Sequence, residues 1–529
     1  MSNEPDRLGQ QETSLVRDKR MWLSMGASIV AFAINFALSF FLTPYLIENL
    51  GEAEYSFYPL ASSLVNYITI ATVALNSMAS RFVTVSRHRG EEEKAKTYFA
   101  STFYSNLILS LILLPIAGLF IWKIDWFIVV PAEIRGNVQT LFALVFLCLL
   151  VGQIGTVFNI APYCCDRLYL SRLAEVVSRV VMVLAAVILF SLLPANVYYV
   201  GIINLISAAV LLSFHYFFTR RLMPDMQISK RYFSGKHVRE LIGSGIWNSV
   251  SQLSNVLLNG LDLLIANRYL GPEATAAVSV SKVVPSNLAG LISTIGNVFH
   301  PRFARQFAHE DKKAFVESVS SSIRLMGLIF CLPIGFLISC GESFFGLWVP
   351  TMDARLLQIL SIMGMGVLFV SASLDPVYGV FTVTNKIKTN SLVVLATGVL
   401  NIAIVLTLLQ FVQDPTWRLF IIVGTSTLLG IARNLFFTIT YTAICMGVRW
   451  NSFYKPLSVN VLLLLGGAAI YYAVRMLIPA ESWLLLILDG VIGTVIAAAI
   501  GWFVVLKREE RSAAIAFVRE KLHRKGEHE

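Results

Sequence analysis

An all-helical protein that crosses a membrane many times is predicted here by three observations: an apolar composition, about fourteen long apolar runs, and basic residues confined to alternate connections. Of 529 residues, 56% are hydrophobic and only 14% are charged, and the mean hydropathy is +0.70. Soluble domains carry about a quarter charged residues, so a chain this apolar needs lipid as its solvent. The formal charge of +10 does not point to nucleic acid, because the positive charge follows the membrane topology.

A span needs ~20 apolar residues. Such runs lie near 22–47, 57–79, 98–122, 137–161, 173–193, 196–218, 243–267, 276–299, 316–340, 356–381, 390–412, 418–445, 457–478 and 482–506. Backbone groups in lipid must be satisfied within the segment, so each run is a helix. The short alternating strands of a barrel are absent from the pattern. The first run has no small-residue cleavage site and is read as a retained span.

The connections between runs alternate in charge. Those at 1–20, 81–96, 167–172, 219–242, 302–313, 386–388, 449–455 and 507–529 hold 32 of the 42 basic residues, and the intervening set holds six. Excess Lys and Arg marks the cytoplasmic side, which places both termini there. The tail 507–529 puts Ile515, Val518 and Leu522 on one face. It is either an arm on anionic lipid or a solvated end, and the second reading is preferred. The six cysteines, two of them adjacent at Cys164 and Cys165, have no zinc spacing and are read as free thiols.

The chain repeats itself. Asn76-x4-Arg81-Phe82 recurs as Asn297-x4-Arg302-Phe303, Leu114-Pro115-Ile116 as Leu332-Pro333-Ile334, Lys94-Ala95 as Lys313-Ala314, and Leu50-Gly51 as Leu270-Gly271. The shared offset of about 220 residues equals six spans. An even number keeps both copies in one orientation, as in transporters built from parallel repeats. The expected organisation is a tail 1–20, a first six-helix lobe 21–218, a linker 219–242, a second lobe 243–446, a helix pair 447–506 and a tail 507–529, with a polar cavity between the lobes.

Candidate cavity residues follow from helix periodicity. Span 7 carries Asn248, Gln252, Asn255, Asn259 and Asp262 at spacings of four and three, hence on one face. Span 8 offers Ser279, Lys282, Ser286, Ser293 and Asn297; span 2 offers Ser62, Asn66, Thr69 and Asn76. One such residue would be ordinary helix–helix hydrogen bonding; five in register imply a wet surface. Intramembrane charges are functional candidates by default. Asp262 and Lys282 lie at similar depth, and two readings stand: a structural salt bridge, or a pair that opens for an anion or a coupling cation. Arg433, in the middle of span 12, is the preferred contact for an anionic cargo. Arg324 lies nearer the span end. Arg179 is read as a local pair with Glu175, Asp375-Pro376 as a cap, and Asp489 has no named partner.

Catalytic motifs are missing. There is no HExxH, GxSxG or phosphate loop, and the outer connections are short, so no enzyme, metal or cofactor is expected. Taken with Leu50-Gly51-x3-Tyr55, Ser80-Arg81-Phe82, Gly243 to Asp262, Leu270-Gly271 and Pro376 to Lys386, the architecture resembles the multidrug/oligosaccharidyl-lipid/polysaccharide exporter superfamily. Within it, the likeness is to the polysaccharide (O-antigen type) flippases, over about residues 20–450. The sequence departs from that pattern at Ser56, where the family usually has Gly. It also adds the last helix pair, as lipid-precursor flippases do.

The resemblance implies a cargo of oligosaccharide on an isoprenoid (undecaprenyl-type) diphosphate, flipped between leaflets of a bacterial inner membrane by alternating access. It implies membrane lipids and the polymerase and chain-length proteins of surface-polysaccharide assembly as partners. Lys282, Arg324 and Arg433 would then meet the diphosphate. A cation-coupled multidrug antiporter, with Asp262 as ion site, is the rival of the same fold. A membrane polymerase is disfavoured by the short outer loops.

Overall fold

The computed structural model describes residues 4–508 and 510–512, and every regular element among them is helical. The helices are α1 Glu4–Leu50, α2 Glu52–His88, α3 Glu92–Trp122, α4 Ala132–Cys164, α5 Leu168–Leu192 and α6 Tyr198–Leu222. Next, α7 runs as Gly235–Asn255, a π turn Val256–Gly260 and Asp262–Leu270. The rest are α8 Pro272–Ala308, α9 Lys312–Trp348, α10 Ala354–Leu374, α11 Ile387–Phe411, α12 Pro415–Cys445, α13 Tyr454–Leu477 and α14 Trp483–Val504. Thirteen of these are long and apolar enough to cross a membrane. The exception is α7, whose polar face lowers its hydropathy. The tail residues Ile515, Val518 and Leu522 lie outside the described residues.

Starts and stops follow local chemistry. Asp311, Asp353, Asp414 and Ser482 each accept a hydrogen bond from a first-turn amide, capping α9, α10, α12 and α14. Proline lies inside α1, α2, α3, α8 and α9, where it removes one backbone hydrogen bond per helix.

The repeat is written into the backbone. α2 and α8 are both 37 residues long, and α5 and α11 both 25. Among the described residues three non-glycines have positive φ: Asp166, Glu310 and Asn385. Each has a partner one repeat away. Gly90 (φ 75°) corresponds to Glu310 (φ 56°), Asp166 (φ 53°) to Asn385 (φ 56°), and Gly51 (φ 79°) to Gly271 (φ 92°). The last pair combines positive φ with an extended ψ, a region open essentially to glycine alone.

By contact, the chain forms two units, Met1–Ala276 and Ala277–Glu529. The sequence placed the lobe boundary in 219–242; the contact division falls later, because α7 packs along α2 in the first unit. A Cβ on Gly245 would overlap the Ala74 carbonyl oxygen, so glycine lets these helix backbones touch. Asn248 donates to Ser77 Oγ at 3.0 Å, Ser249 donates to the Ile70 carbonyl at 2.9 Å, and Tyr67 donates to the Gly260 carbonyl.

In the second unit, α13 and α14 pack on α9. Ser339 donates to the Ala468 carbonyl at 2.7 Å, and Cys331 Sγ donates to the Asn460 carbonyl at 3.2 Å. The most apolar stretch of α9 is 61% buried, while that of its repeat mate α3 is 17% buried. The added helix pair therefore covers the face that Ile108, Leu111, Ile112 and Leu119 leave bare in the first copy. All six cysteines are free thiols.

Candidate functional site

In the first unit the polar residues separate into two groups. The first is a closed amide network. Gln153 Nε2 donates to Thr72 Oγ1 at 2.7 Å, and Asn76 Nδ2 donates to Gln153 Oε1 at 3.2 Å. Asn106 Nδ2 donates to Asn76 Oδ1 at 2.8 Å and to Thr156 Oγ1 at 3.0 Å. Thr72, Asn106 and Gln153 are buried, so the network ties α2, α3 and α4 together. Asn76 was expected to face cargo; its amide is spent inside this lock. Thr72, Asn106, Gln153 and Thr156 were missed by sequence reading. The signal available was two amides, Asn106 and Gln153, inside otherwise apolar runs.

The second group is open. Asn66 on α2 and Asn255 and Asn259 on α7 are exposed, Asn248 and Gln252 are half-buried, and Asp262 is buried. The expected single stripe does not continue to Asp262. The π turn Val256–Gly260 adds one residue to the winding and rotates every later side chain by about 100°. Beyond it, Asn267 is buried and bonds both backbone groups of Val129, accepting at 2.7 Å and donating at 3.4 Å. This joins α7 to the loop after α3.

In the second unit, Ser286 and Asn297 on α8 are exposed and Lys282 is half-buried. Three irregularities meet beside them. α8 passes through a 3-10 turn at Asn297–Phe299. The chain after α10 breaks at Asp375-Pro376 before resuming at Val377–Val383. α12 passes through a π turn at Asn434–Thr438. Gly296 has no side chain because Asp375 Oδ2 occupies the place of its Cβ, and Gly379 likewise gives way to the His300 ring. Arg433 is half-buried, and its Nε is buried with no hydrogen-bond partner.

Arg324 is placed elsewhere. It pairs with Glu510 at 2.5 Å and with Glu317 at 2.9 Å, and Lys507 joins Glu317 at 3.0 Å. Its charge is already met by two carboxylates, so it is a clamp between α9 and the segment after α14. Burial works against ionisation of Glu510, but the bonds from Arg324, Ser321 and the Lys507 amide prevail and hold its carboxyl below the usual range. Glu175 pairs with Arg172 at 2.8 Å, not with Arg179 as its spacing suggested; Arg179 instead donates to Met182 Sδ at 3.4 Å. Asp489 is fully buried and accepts from Cys340 Sγ at 3.2 Å.

A polytopic helical bundle with internal repeats, wet amides and an unspent intramembrane cation defines a transporter-type membrane protein. The chain belongs to the polysaccharide biosynthesis protein family, whose model matches residues 22–307. It is 28% identical over 506 residues, 93% of this chain and 97% of the relative, to the "Uncharacterized membrane protein EpsK" of Bacillus subtilis (strain 168). In fold it resembles the lipid II flippase MurJ in an inward closed conformation (TM-score 0.65, 14% identity, 91% of this chain and 98% of that one). It also resembles an inward-facing multidrug resistance MATE family transporter of the MOP superfamily (TM-score 0.63, 13% identity, 78% of this chain and 95% of that one).

Proposed function

We propose that this protein flips an isoprenoid-diphosphate-linked oligosaccharide from the inner to the outer leaflet of a bacterial cytoplasmic membrane, for surface-polysaccharide synthesis. Both termini face the cytoplasm, as the basic connections require. The observation that carries this reading is Arg433. A guanidinium inside a span costs at least ~2.5–3.5 kcal/mol on insertion scales. None of the ion pairs among the described residues includes it, and its Nε keeps a donor for a ligand. A diphosphate is the matching anion.

The exposed amides Asn66, Asn255, Asn259 and Asn297 support a wet route for the sugar. Each unsatisfied hydroxyl would otherwise cost several kcal/mol in hydrocarbon. Alternating access between the two repeats moves the head group while the lipid tail stays in the bilayer. No bond is made or broken, and no cofactor is used.

Deleting the gene tests this. Lipid-linked oligosaccharide accumulates in the inner leaflet and surface glycan is lost; Arg433→Gln reproduces the defect. Unchanged lipid-linked sugars with new sensitivity to cationic drugs would instead establish the antiporter reading, which the MATE-like fold also supports.

A further inference from the structure

Where α9 and α13 end and α10 begins, the second unit carries a polar pocket that the transport reading leaves unused. Its volume is about 520 Å3, and Ser339 and Glu342 of α9, Arg355 and Gln358 of α10, and Tyr472 and Arg475 of α13 line it. Lys and Arg are concentrated at the other end of these spans, which gives the pocket to the outer face. Trp417 and Trp483, in the first turns of α12 and α14, are exposed at the same end, as aromatic side chains are at headgroup level. The outer ends of the second unit's spans hold three basic residues: Arg355, Arg418 and Arg475. Arg418 is spent on the Val412 carbonyl at 2.7 Å. The other two share the pocket.

Their surroundings hold them in place without satisfying them. Arg475 Nη1 donates to the Ser339 carbonyl at 2.7 Å, while its Nη2 lies 3.6 Å from Glu342 Oε2, well beyond the length of about 2.8 Å of a close guanidinium–carboxylate bond. Gln358 is braced against α9: Nε2 donates to the Ile338 carbonyl at 2.8 Å, and the missing side chain of Gly341 makes room for its Cγ. One amide N–H and the amide oxygen of Gln358 remain for a ligand. Arg355 is exposed, and none of the ion pairs among the described residues includes it. The neighbouring Asp353 carboxylate is spent on the amides of Arg355 and Leu356, both at 3.0 Å. Two guanidiniums and one carboxylate thus line the pocket, with one positive charge in excess. Toward the membrane centre, α13 turns an apolar stripe outward. Leu462, Leu465, Tyr472 and Met476 are 54% to 69% exposed, and their spacing puts them on one face. Tyr472 belongs to both stripe and pocket, so the polar site opens onto the surface that lipid chains cover.

We propose that this pocket binds the headgroup of a monoanionic glycerophospholipid of the phosphatidylglycerol type, with its acyl chains along α13. The phosphate lies between Arg355 and Arg475 and cancels the excess charge. The terminal diol donates to Glu342 and to the Gln358 amide oxygen, which a headgroup without hydroxyls cannot do. A choline headgroup brings its own cation and leaves the pocket positive. Glycerol phosphate carries the same polar groups but no chains for the stripe. The site does not depend on what the protein carries. A lipid seated there touches α9, α10 and α13 together, and so fastens the added helix pair to the second repeat.

The test titrates the full-length protein in a non-ionic detergent with dioctanoyl phosphatidylglycerol, dioctanoyl phosphatidylcholine, dioctanoyl phosphatidylmethanol (a monoanion without the diol) and glycerol 3-phosphate. Native mass spectrometry reads the bound ligand, and a melting curve is taken in parallel. Wild type is expected to bind phosphatidylglycerol about tenfold more tightly than phosphatidylcholine, to prefer it over phosphatidylmethanol, and to melt higher with it present. Arg355→Gln, at an exposed position, is expected to weaken phosphatidylglycerol binding about tenfold with no change in the lipid-free melt. Arg475→Gln weakens it as much, but it also loses the bond to Ser339, so it is compared with its own lipid-free melt. Glu342→Ala keeps the phosphate contact and abolishes the preference over phosphatidylmethanol. Arg231→Gln, an exposed cation of the basic linker, leaves binding unchanged. Equal wild-type affinity for phosphatidylglycerol and phosphatidylcholine, or equal loss in Arg231→Gln and Arg355→Gln, overturns the site. Equal affinity for phosphatidylglycerol and phosphatidylmethanol overturns the named headgroup, and glycerol 3-phosphate binding as tightly as the lipid overturns the lipid source.

Discussion

The side chain of Asn460 on α13 occupies the space that Gly327 leaves open on α9. A Cβ at Gly327 would overlap the Asn460 amide, which donates to the Ile323 carbonyl at 2.8 Å and to Ser373 Oγ at 3.0 Å. Gly327→Ala should therefore expel that amide and destabilise the second unit by about 1–3 kcal/mol, the usual cost of overpacking. Asn460→Leu should lower the melting temperature as well. Thermal unfolding in detergent checks both; a Gly327→Ala protein as stable as wild type would mean that α13 is not held this way.

The Arg324–Glu510 clamp predicts an acid-sensitive contact. The folded pKa of Glu510 is depressed, so its contribution is complete above the unfolded carboxylate value of about 4.3. It is lost as pH falls through the lower folded value. Glu510→Gln should remove that part of the acid dependence and leave a lower, flatter melting temperature near neutrality. A melting series from neutral to acid pH on both proteins reads the difference. Identical slopes would show that the clamp contributes nothing.

Polar residues inside spans should respond differently to substitution. Gln153→Leu removes the acceptor of one Asn76 N–H and the donor to Thr72 Oγ1 in a largely buried network and should cost about 1–3 kcal/mol of stability. Asn255→Ala, on an exposed position, should leave the melting temperature unchanged while reducing transport of lipid-linked sugar. The two assays run side by side; equal destabilisation by both variants would remove the distinction between lock and lining.

Glu310 holds a left-handed backbone that its repeat mate Gly90 adopts at no steric cost. Glu310→Gly should stabilise the protein by about 1 kcal/mol, whereas Gly90→Glu should destabilise it by a similar amount. Paired melting curves test the sign.

Much of the fold was legible because lipid imposes length and polarity together. The apolar runs became helices, and the offset of about 220 residues reappeared in helix lengths and turns. Span 7 was legible as a helix but not as a continuous face, since nothing in Asn255 to Asp262 announces a π turn. Site residues were harder. Arg324 and Arg433 look alike in sequence, each a cation inside a span, and they differ in that Glu317 and Glu510 pair with Arg324. Asn76 was read from the pattern of its own helix alone, whereas its bonds to Asn106 and Gln153 reach 30 and 77 residues along the chain. Asp375 read as a cap, and its meeting with Gly296 depends on packing between distant segments.

The matched left-handed turns have a historical consequence. Where the halves share a turn, they often share no residue: Gly faces Glu, and Asp faces Asn. Tandem duplication of a half-length ancestor explains this, since a chain can exchange side chains one at a time but cannot change the handedness of a turn without misdirecting the whole helix that follows. The turns are the more durable inheritance, and the substitutions between them record how two identical copies came to specialise.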